Sequence, residues 1–118
     1  MSTAHHSFDP TALDSALWDQ VAAAITVLDL DGTILFYNAH APRILDRKPE
    51  YIGRDIRELH NPASNAKIEA MLKTYQKGQA QEFCWRLTRN NQEYVIQLTP
   101  LMKDLRISGA VHIAMLLP

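Results

Sequence analysis

One histidine, His60, stands directly before the run Asn-Pro-Ala-Ser at residues 61–64, whose residue types predict a helix start. Asn61 is a favourable N-cap, and Pro62 is a favourable first helical residue. The partial positive charge at the amino end of a helix disfavours imidazolium, so a ring held there stays neutral, which is the form that binds metals. His60 could therefore hold a ligand in a pocket, or it could make a hydrogen bond that seats the helix.

Two aspartates, Asp29 and Asp31, lie in the string VLDLDGTIL at residues 27–35. This string resembles the first motif of haloacid dehalogenase-like phosphatases, which implies a nucleophile at Asp29 and a general acid/base at Asp31. Such enzymes need a parallel sheet with crossover helices, which the remaining sequence does not predict. Asp31-Gly32 is also a strong turn signal, and we predict a hairpin with Thr33 at the start of its second strand. We therefore expect that the chain is not an enzyme.

The other possible metal ligands have weaker sequence contexts. Cys84 is the single cysteine, which excludes an internal disulfide and a zinc-finger framework, and it lies in an alternating stretch typical of a strand. His40 is expected to be solvated on a short helix. His112 is expected to point to the outer face of the sheet together with two small residues, Ala110 and Ala114, a band that would suit a docked helix or a second subunit.

Length and charge set the general class of the protein. The 118 residues fit one domain, and a formal net charge of −1 provides no field that would attract nucleic acid. No apolar run is long enough to cross a bilayer, and the amino terminus lacks the features of a secretion signal. We expect a cytoplasmic protein without nucleic-acid or membrane partners.

The elements that position these residues follow from hydrophobic periodicity. We predict a flexible leader at residues 1–8, an amphipathic helix at 9–21 and a core at 22–118. The core begins with a hairpin around Asp31-Gly32, followed by a short segment capped by Asn38, small helical turns, and a longer helix from Asn61 to Gly78. Three strands follow, with a turn at residues 90–91. This order predicts an α+β fold, a five-stranded antiparallel sheet with helices on one face.

Two stretches resemble the PAS domain family: ITVLDLDGTILFYN at residues 25–38 and RILDRKPEYIGRDIREL at residues 43–59. The resemblance extends over residues 22–117. It implies a sensory module that binds a small ligand between the sheet and the longest helix and passes the change to a partner. The downstream partner is not identifiable from the sequence.

A third stretch, ELHNPASNAKIEAMLKTYQKG at residues 58–78, is similar to haem-binding PAS modules of bacterial carbon monoxide-sensing regulators. In those modules the matching histidine ligates iron, which implies haem b bound through His60 and a response to a gas or to redox state. Their opposite ligand is a methionine on the next strand, but QEFCWRLTR at residues 81–89 contains none. The opposite position is therefore open or is filled by another group, of which Cys84 is the nearest soft candidate.

The helix after His60 should turn its apolar stripe toward the following strand, forming either a slot for a flat cofactor or a packed core. The residues expected to contact the ligand are His60, Met71, Leu72, Tyr75 and Trp85. A homodimer is expected through the helix at residues 9–21 and the outer sheet face. The alternative function is a ligand-free dimerisation or protein-interaction module, and a distant third is the phosphatase that the Asp29 and Asp31 string resembles.

Overall fold

The computed structural model describes residues 19–20, 22–45 and 47–117. The predicted leader lies outside the described residues, and so does the predicted helix at 9–21 apart from residues 19–20, which form a turn. The five strands are β1 (Ala24–Asp29), β2 (Ile34–Tyr37), β3 (Phe83–Arg89), β4 (Gln92–Lys103) and β5 (Arg106–Leu116). The helices are α1 (Ala41–Leu45) and α2 (Pro62–Gln76), with short 3-10 turns at Pro49–Tyr51 and Ile56–Leu59.

The five strands form one sheet in the order β2-β1-β5-β4-β3, and every neighbouring pair is antiparallel. Tight turns join β3 to β4 and β4 to β5, and each turn has two successive residues at positive φ, as right-twisted hairpins require. These residues are Asn90, Asn91, Asp104 and Leu105. The predicted α+β class and the five-stranded antiparallel sheet are confirmed.

The turn between β1 and β2 is shaped by the carboxylate of Asp29. Its Oδ1 accepts hydrogen bonds from the backbone N–H groups of Asp31 and Thr33, each at 2.9 Å. Gly32 occupies the left-handed region with φ 91°, which glycine adopts without steric cost. The aspartate pair is therefore built into a hairpin, as the turn signal predicted.

Asn38 does not cap a helix, contrary to the prediction, but extends the sheet beside β1. Its Oδ1 accepts from the backbone N–H of Ile25 at 3.0 Å, and its Nδ2 donates to the carbonyl of Ala23 at 2.9 Å. The side chain is 1% exposed. A carboxamide offers both a donor and an acceptor, so one side chain pairs two backbone groups where β2 has ended.

Helix α2 begins and ends where its sequence predicted. Asn61 Oδ1 accepts from the backbone N–H of Ser64 at 2.8 Å, Pro62 is the first helical residue, and Gly78 follows the end with φ 82°. The side chains it buries are Met71, Leu72 and Tyr75. Within the ranges described above, no helix has the length and apolar character needed to span a membrane.

The prediction that His112 points to the outer face of the sheet is wrong. Ala110 and Ala114 lie on the same face of β5 as His112, and both are fully buried in the core. Ala110 packs in the cluster that contains the apolar side chains of α2, and Ala114 packs in the cluster that contains those of α1. Small side chains fit at these positions because the helices lie close to this central strand. The two alanines therefore do not form an outer docking band.

A cavity between the sheet and helix α2

A cavity of about 760 Å³ lies between the inner face of the sheet and helix α2. This volume falls within the range of ligand sites, roughly 300–1,000 Å³. Its apolar wall comes from α2, from the inner sheet face and from the 3-10 turn before His60, and includes Leu28, Ile56, Ile68, Met71, Trp85 and Ile96. Polar and charged side chains make up nearly half of the lining residues, so they also determine what the cavity can bind.

His60 lines the cavity from the residue that ends the 3-10 turn at 56–59. Its Nδ1 lies 2.9 Å from the carbonyl oxygen of Ile56. A carbonyl can only accept, so Nδ1 carries the proton and Nε2 of the neutral ring keeps its lone pair. Burial lowers the pKa of His60, although the bond to the Ile56 carbonyl opposes that shift. The ring is therefore neutral, with a free lone pair on Nε2.

The backbone around His60 is held by contacts from α2 and from the 3-10 turn. Asn65 Nδ2 donates to the carbonyl of Arg57 at 2.9 Å and lies 3.4 Å from that of His60. The guanidinium of Arg57 binds Asp55 at 2.9 Å, contacts Glu69 of α2, and donates to the carbonyl of Asp31 at 2.5 Å. The turn that carries His60 is thereby fixed to both the hairpin and α2.

His112 reaches the same cavity from the middle of β5. Its ring meets that of Trp85 edge to face, with the centroids 6.5 Å apart. Burial, and then the charges of Arg47 and His60, lower the pKa of His112 to about 3. Its Nδ1 is buried without a hydrogen-bond partner in the part of the chain that the structure describes. The cavity thus contains two neutral imidazoles, one beside the helix and one on the sheet.

Arg47 is a buried cation in the cavity wall, with only 5% of its surface exposed. It follows α1, and its backbone N–H bonds to the carbonyl of Ala41. Its Nε is buried and has no hydrogen-bond partner among the described residues. Burial, and then the charge of Arg89, lower the pKa of Arg47 to about 10, so the guanidinium is still charged at neutral pH.

Two of the other charged residues at the cavity have ion-pair partners. Glu58 pairs with Arg54 at 2.6 Å, and Arg86 pairs with Glu93 at 3.4 Å. Both pairs are about half exposed or more, so water screens them. Lys67, Arg89 and the buried Arg47 also line the cavity, and none of the three has an ion pair among the described residues, so the cavity is electropositive.

The structure brings together most of the side chains that the sequence pointed to as ligand contacts. His60, Met71, Leu72 and Trp85 all line the cavity. Tyr75 does not line it; the residue is 1% exposed and packs against Phe83, with ring centroids 5.9 Å apart. Its hydroxyl donates to the carbonyl of Gln81 at 2.8 Å, and burial raises its pKa to about 12.

Cys84 is exposed and does not line the cavity. Trp85 lines it, and successive side chains of a strand point to opposite faces, so the thiol is directed away from the cavity. His40 is half-buried rather than solvated, because one ring nitrogen lies 2.7 Å from the carbonyl of Asp19. Across the described residues, no three His, Cys, Asp or Glu side chains form a group that could hold a metal ion.

The sequence reading missed Arg47 and His112 as cavity residues. His112 had a usable signal, since it alternates with Val111 and Ile113 and shares its face with two alanines. Choosing which face is inner required the helix contacts, which only the fold supplies. Arg47 lies in a polar stretch, Asp-Arg-Lys-Pro, whose composition resembles an exposed loop.

Comparisons with known proteins agree with this architecture. The sequence profile of the PAS domain family matches residues 15–115. Comparison with curated protein sequences gives no significant match. Three similar solved structures have between 14% and 21% sequence identity to the chain, a level that shows the fold alone.

The first of these structures, a C-terminal domain from Streptococcus mutans, has a TM-score of 0.73 and 15% identity; the match covers 96% of this chain and 92% of that one. A PAS domain from Colwellia psychrerythraea has a TM-score of 0.68 and 21% identity, with 92% and 98% covered. A sensory box sensor histidine kinase from Vibrio cholerae has a TM-score of 0.64 and 14% identity, with 88% and 89% covered. With an antiparallel sheet in this strand order, a cavity between the sheet and α2 and a profile match over most of its length, the chain belongs to the PAS domain family.

Proposed function

We propose that this PAS domain is a sensory module that binds haem b in the cavity, with Nε2 of His60 as an iron ligand. The observation that carries the proposal is the hydrogen bond from His60 Nδ1 to the Ile56 carbonyl. Metal-ligating histidines almost always donate their other ring nitrogen to a carbonyl or carboxylate, which fixes the tautomer and the ring orientation.

The remaining cavity residues support a flat, largely apolar cofactor. Leu28, Ile68, Met71 and Trp85 form walls on both sides of the space, and apolar walls of this kind favour a ligand with apolar surface. His112 lines the same cavity from the sheet and replaces Cys84 as the candidate for the second iron ligand. Two imidazoles suit a metal whose other ligands are part of the cofactor.

Bound haem would supply an iron centre that responds to a diatomic gas or to a change of oxidation state. Signal transmission would depend on this chain's own contacts. His60 is joined through Asn65 to α2, and α2 packs on β5, the central strand of the sheet. A change in the position of His60 would therefore bias the helix and the sheet together, provided that the ligand binds one arrangement better than the other.

The test is an absorption spectrum of the protein reconstituted with haem, recorded for wild type, His60→Ala and His40→Ala. We expect a sharp Soret band in the wild type that shifts on reduction and with carbon monoxide. His60→Ala should lose that band, and His40→Ala, which changes a histidine outside the cavity wall, should keep it. A spectrum of free haem in the wild type would rule out haem as the ligand.

A homodimer remains a prediction, although its expected surface has changed. The outer face of β5 presents Val111, Ile113 and Met115 rather than alanines, and Met115 is 44% exposed. Light scattering at high protein concentration distinguishes a dimer from a monomer. A dimer mass supports the prediction, and a monomer mass contradicts it.

A further inference from the structure

We propose that Arg47 is an anion-binding residue and that the ligand of this cavity is an amphipathic carboxylate, with an apolar body against α2 and the sheet and its carboxylate on the Arg47 guanidinium. This inference deepens the proposed function but does not depend on iron, because it concerns a different part of the ligand. Either a porphyrin or an aliphatic acid could supply this carboxylate.

The burial of Arg47 is the first step of the argument. A guanidinium removed from water loses hydration that its surroundings must replace, and buried arginines are normally paired with a carboxylate or another acceptor. Arg47 is 5% exposed, and its Nε has no partner among the described residues. A buried cation without an acidic partner among the described residues is unfavourable in the free protein, and an anion that binds beside it removes this cost.

The second step is that nearby carboxylates have other partners. Glu58 lines the same cavity, but its carboxylate pairs with Arg54 at 2.6 Å. Asp55 and Glu69 both bind Arg57. No acidic side chain in residues 19–20, 22–45 and 47–117 pairs with Arg47, and the charge of Arg89 adds to the positive potential around it.

The third step is the position of this cation in the cavity. Arg47 shares the cavity with His112, whose Nδ1 is also buried without a partner in the described part of the chain. Apolar side chains face the space between α2 and the sheet, with Met71 from the helix and Ile96 and Leu98 from the sheet. A ligand that satisfies the wall and the cation together must be apolar over most of its surface and anionic at one end.

Metal-free protoporphyrin IX tests this inference without iron ligation, and its dimethyl ester is the matched ligand without carboxylates. Binding is measured by fluorescence titration with wild type, Arg47→Met and Arg106→Met, the last of which removes an exposed arginine outside the cavity wall. Hydrogen bonds to charged groups predict that Arg47→Met weakens binding of the acid about tenfold to a hundredfold. Binding of the ester should not change, and Arg106→Met should resemble wild type.

Loss of His60–iron ligation would leave these titrations unaffected, so the two proposals can fail separately. Wild type that binds dodecanoate through Arg47 but not protoporphyrin would support the carboxylate site and would point to an aliphatic ligand instead of haem. Equal affinity for acid and ester in the wild type would overturn the inference, as would binding of neither protoporphyrin nor dodecanoate.

The stability of the free protein separates a binding role of Arg47 from a structural one. Replacing an unpaired buried charge with an apolar side chain of similar length is often neutral or stabilising. We therefore expect ligand-free Arg47→Met to have a Tm equal to or above that of wild type. A lower Tm, together with equal losses of acid and ester binding, would show that Arg47 supports the fold rather than the ligand. Arg47→Gln, which keeps a polar side chain, provides the same comparison if the methionine variant does not fold.

Discussion

The Nδ1 atom of His60 lies 2.9 Å from the carbonyl oxygen of Ile56, four residues earlier in the chain. Because the 3-10 turn supplies the acceptor for Nδ1, it fixes both the tautomer and the orientation of the imidazole ring. The next residue, Asn61, caps α2. One short segment therefore orients the imidazole of His60 and starts the helix that forms one wall of the cavity.

Asn65→Ala should weaken ligand binding without changing any residue that lines the cavity. The change removes the donor to the carbonyls of Arg57 and His60, so the turn that carries the imidazole is held less firmly. Loss of such outer-shell partners lowers metal affinity by roughly 10–100-fold. The measurement is haem affinity by spectroscopic titration.

The control for that variant is Gln76→Ala, which removes a similar amide-to-carbonyl bond, to Leu30, at the other end of α2. It should keep the affinity of wild type. An equal loss in both variants would mean that helix stability, rather than the position of His60, controls binding.

Asn38→Ala should be among the most destabilising changes of a single polar side chain in this protein. It leaves the buried backbone N–H of Ile25 and the carbonyl of Ala23 without the partners that Asn38 supplies. Unpaired buried groups cost about 1–3 kcal/mol each, so we expect a loss of about 3 kcal/mol in the free energy of unfolding in urea. Asn61→Ala, which removes an exposed helix cap, should cost only about 1 kcal/mol. Equal losses in the two variants would contradict this account of Asn38.

The ligand-free protein should lose stability as the pH falls from 7.5 to 5 because of His112. Its pKa is lowered from 6.5 to about 3 in the folded state, so the unfolded chain takes up a proton in this window and the folded protein does not. The stabilising contribution is complete above pH 6.5 and decreases below it. With 1.36 kcal/mol per pH unit, the loss at pH 5 is about 2 kcal/mol.

The variant His112→Leu isolates this contribution. Between pH 7.5 and 5, its free energy of unfolding should fall by about 2 kcal/mol less than that of wild type. Ile113→Leu changes the neighbouring residue on the outer face and should follow the wild-type pH dependence. If His112→Leu also follows it, the imidazole is protonated in the folded protein and the burial argument is wrong.

Gly109→Ala tests how closely β1 and β5 approach at their paired residues Asp29 and Gly109. A Cβ at this position would lie 2.2 Å from the carbonyl oxygen of Leu28, so the strands would have to separate. We expect the free energy of unfolding to fall by about 3 kcal/mol, which is at the upper end of the cost of overpacking. Gly53→Ala places a Cβ in open space at φ 89° and should cost only about 1 kcal/mol of backbone strain. Thermal unfolding of the two variants compares them, and a smaller loss for Gly109→Ala would be inconsistent with the close approach.

The local elements could be predicted because their signals are local. Asn61, Pro62 and Gly78 mark the ends of α2 through capping and through the left-handed conformation after the helix. Asp31-Gly32 and Asn90-Asn91 mark turns because few other residues adopt their backbone angles at low cost. The order of these elements was sufficient for the fold class.

The sequence by itself determined the elements, the α+β class and His60 as a candidate ligand, since these depend on periodicity, capping residues and a motif. Only the tertiary structure decided which face of β5 is inner, and with it the position of His112. Strand periodicity separates two faces but does not say which one a helix covers. Asn38 and Arg47 show the same limit. Asn38 was predicted to be a cap, and Arg47 was given no role. Both are buried, Asn38 by its bonds to backbone groups of β1 and Arg47 in the cavity wall, and these contacts come from distant parts of the chain.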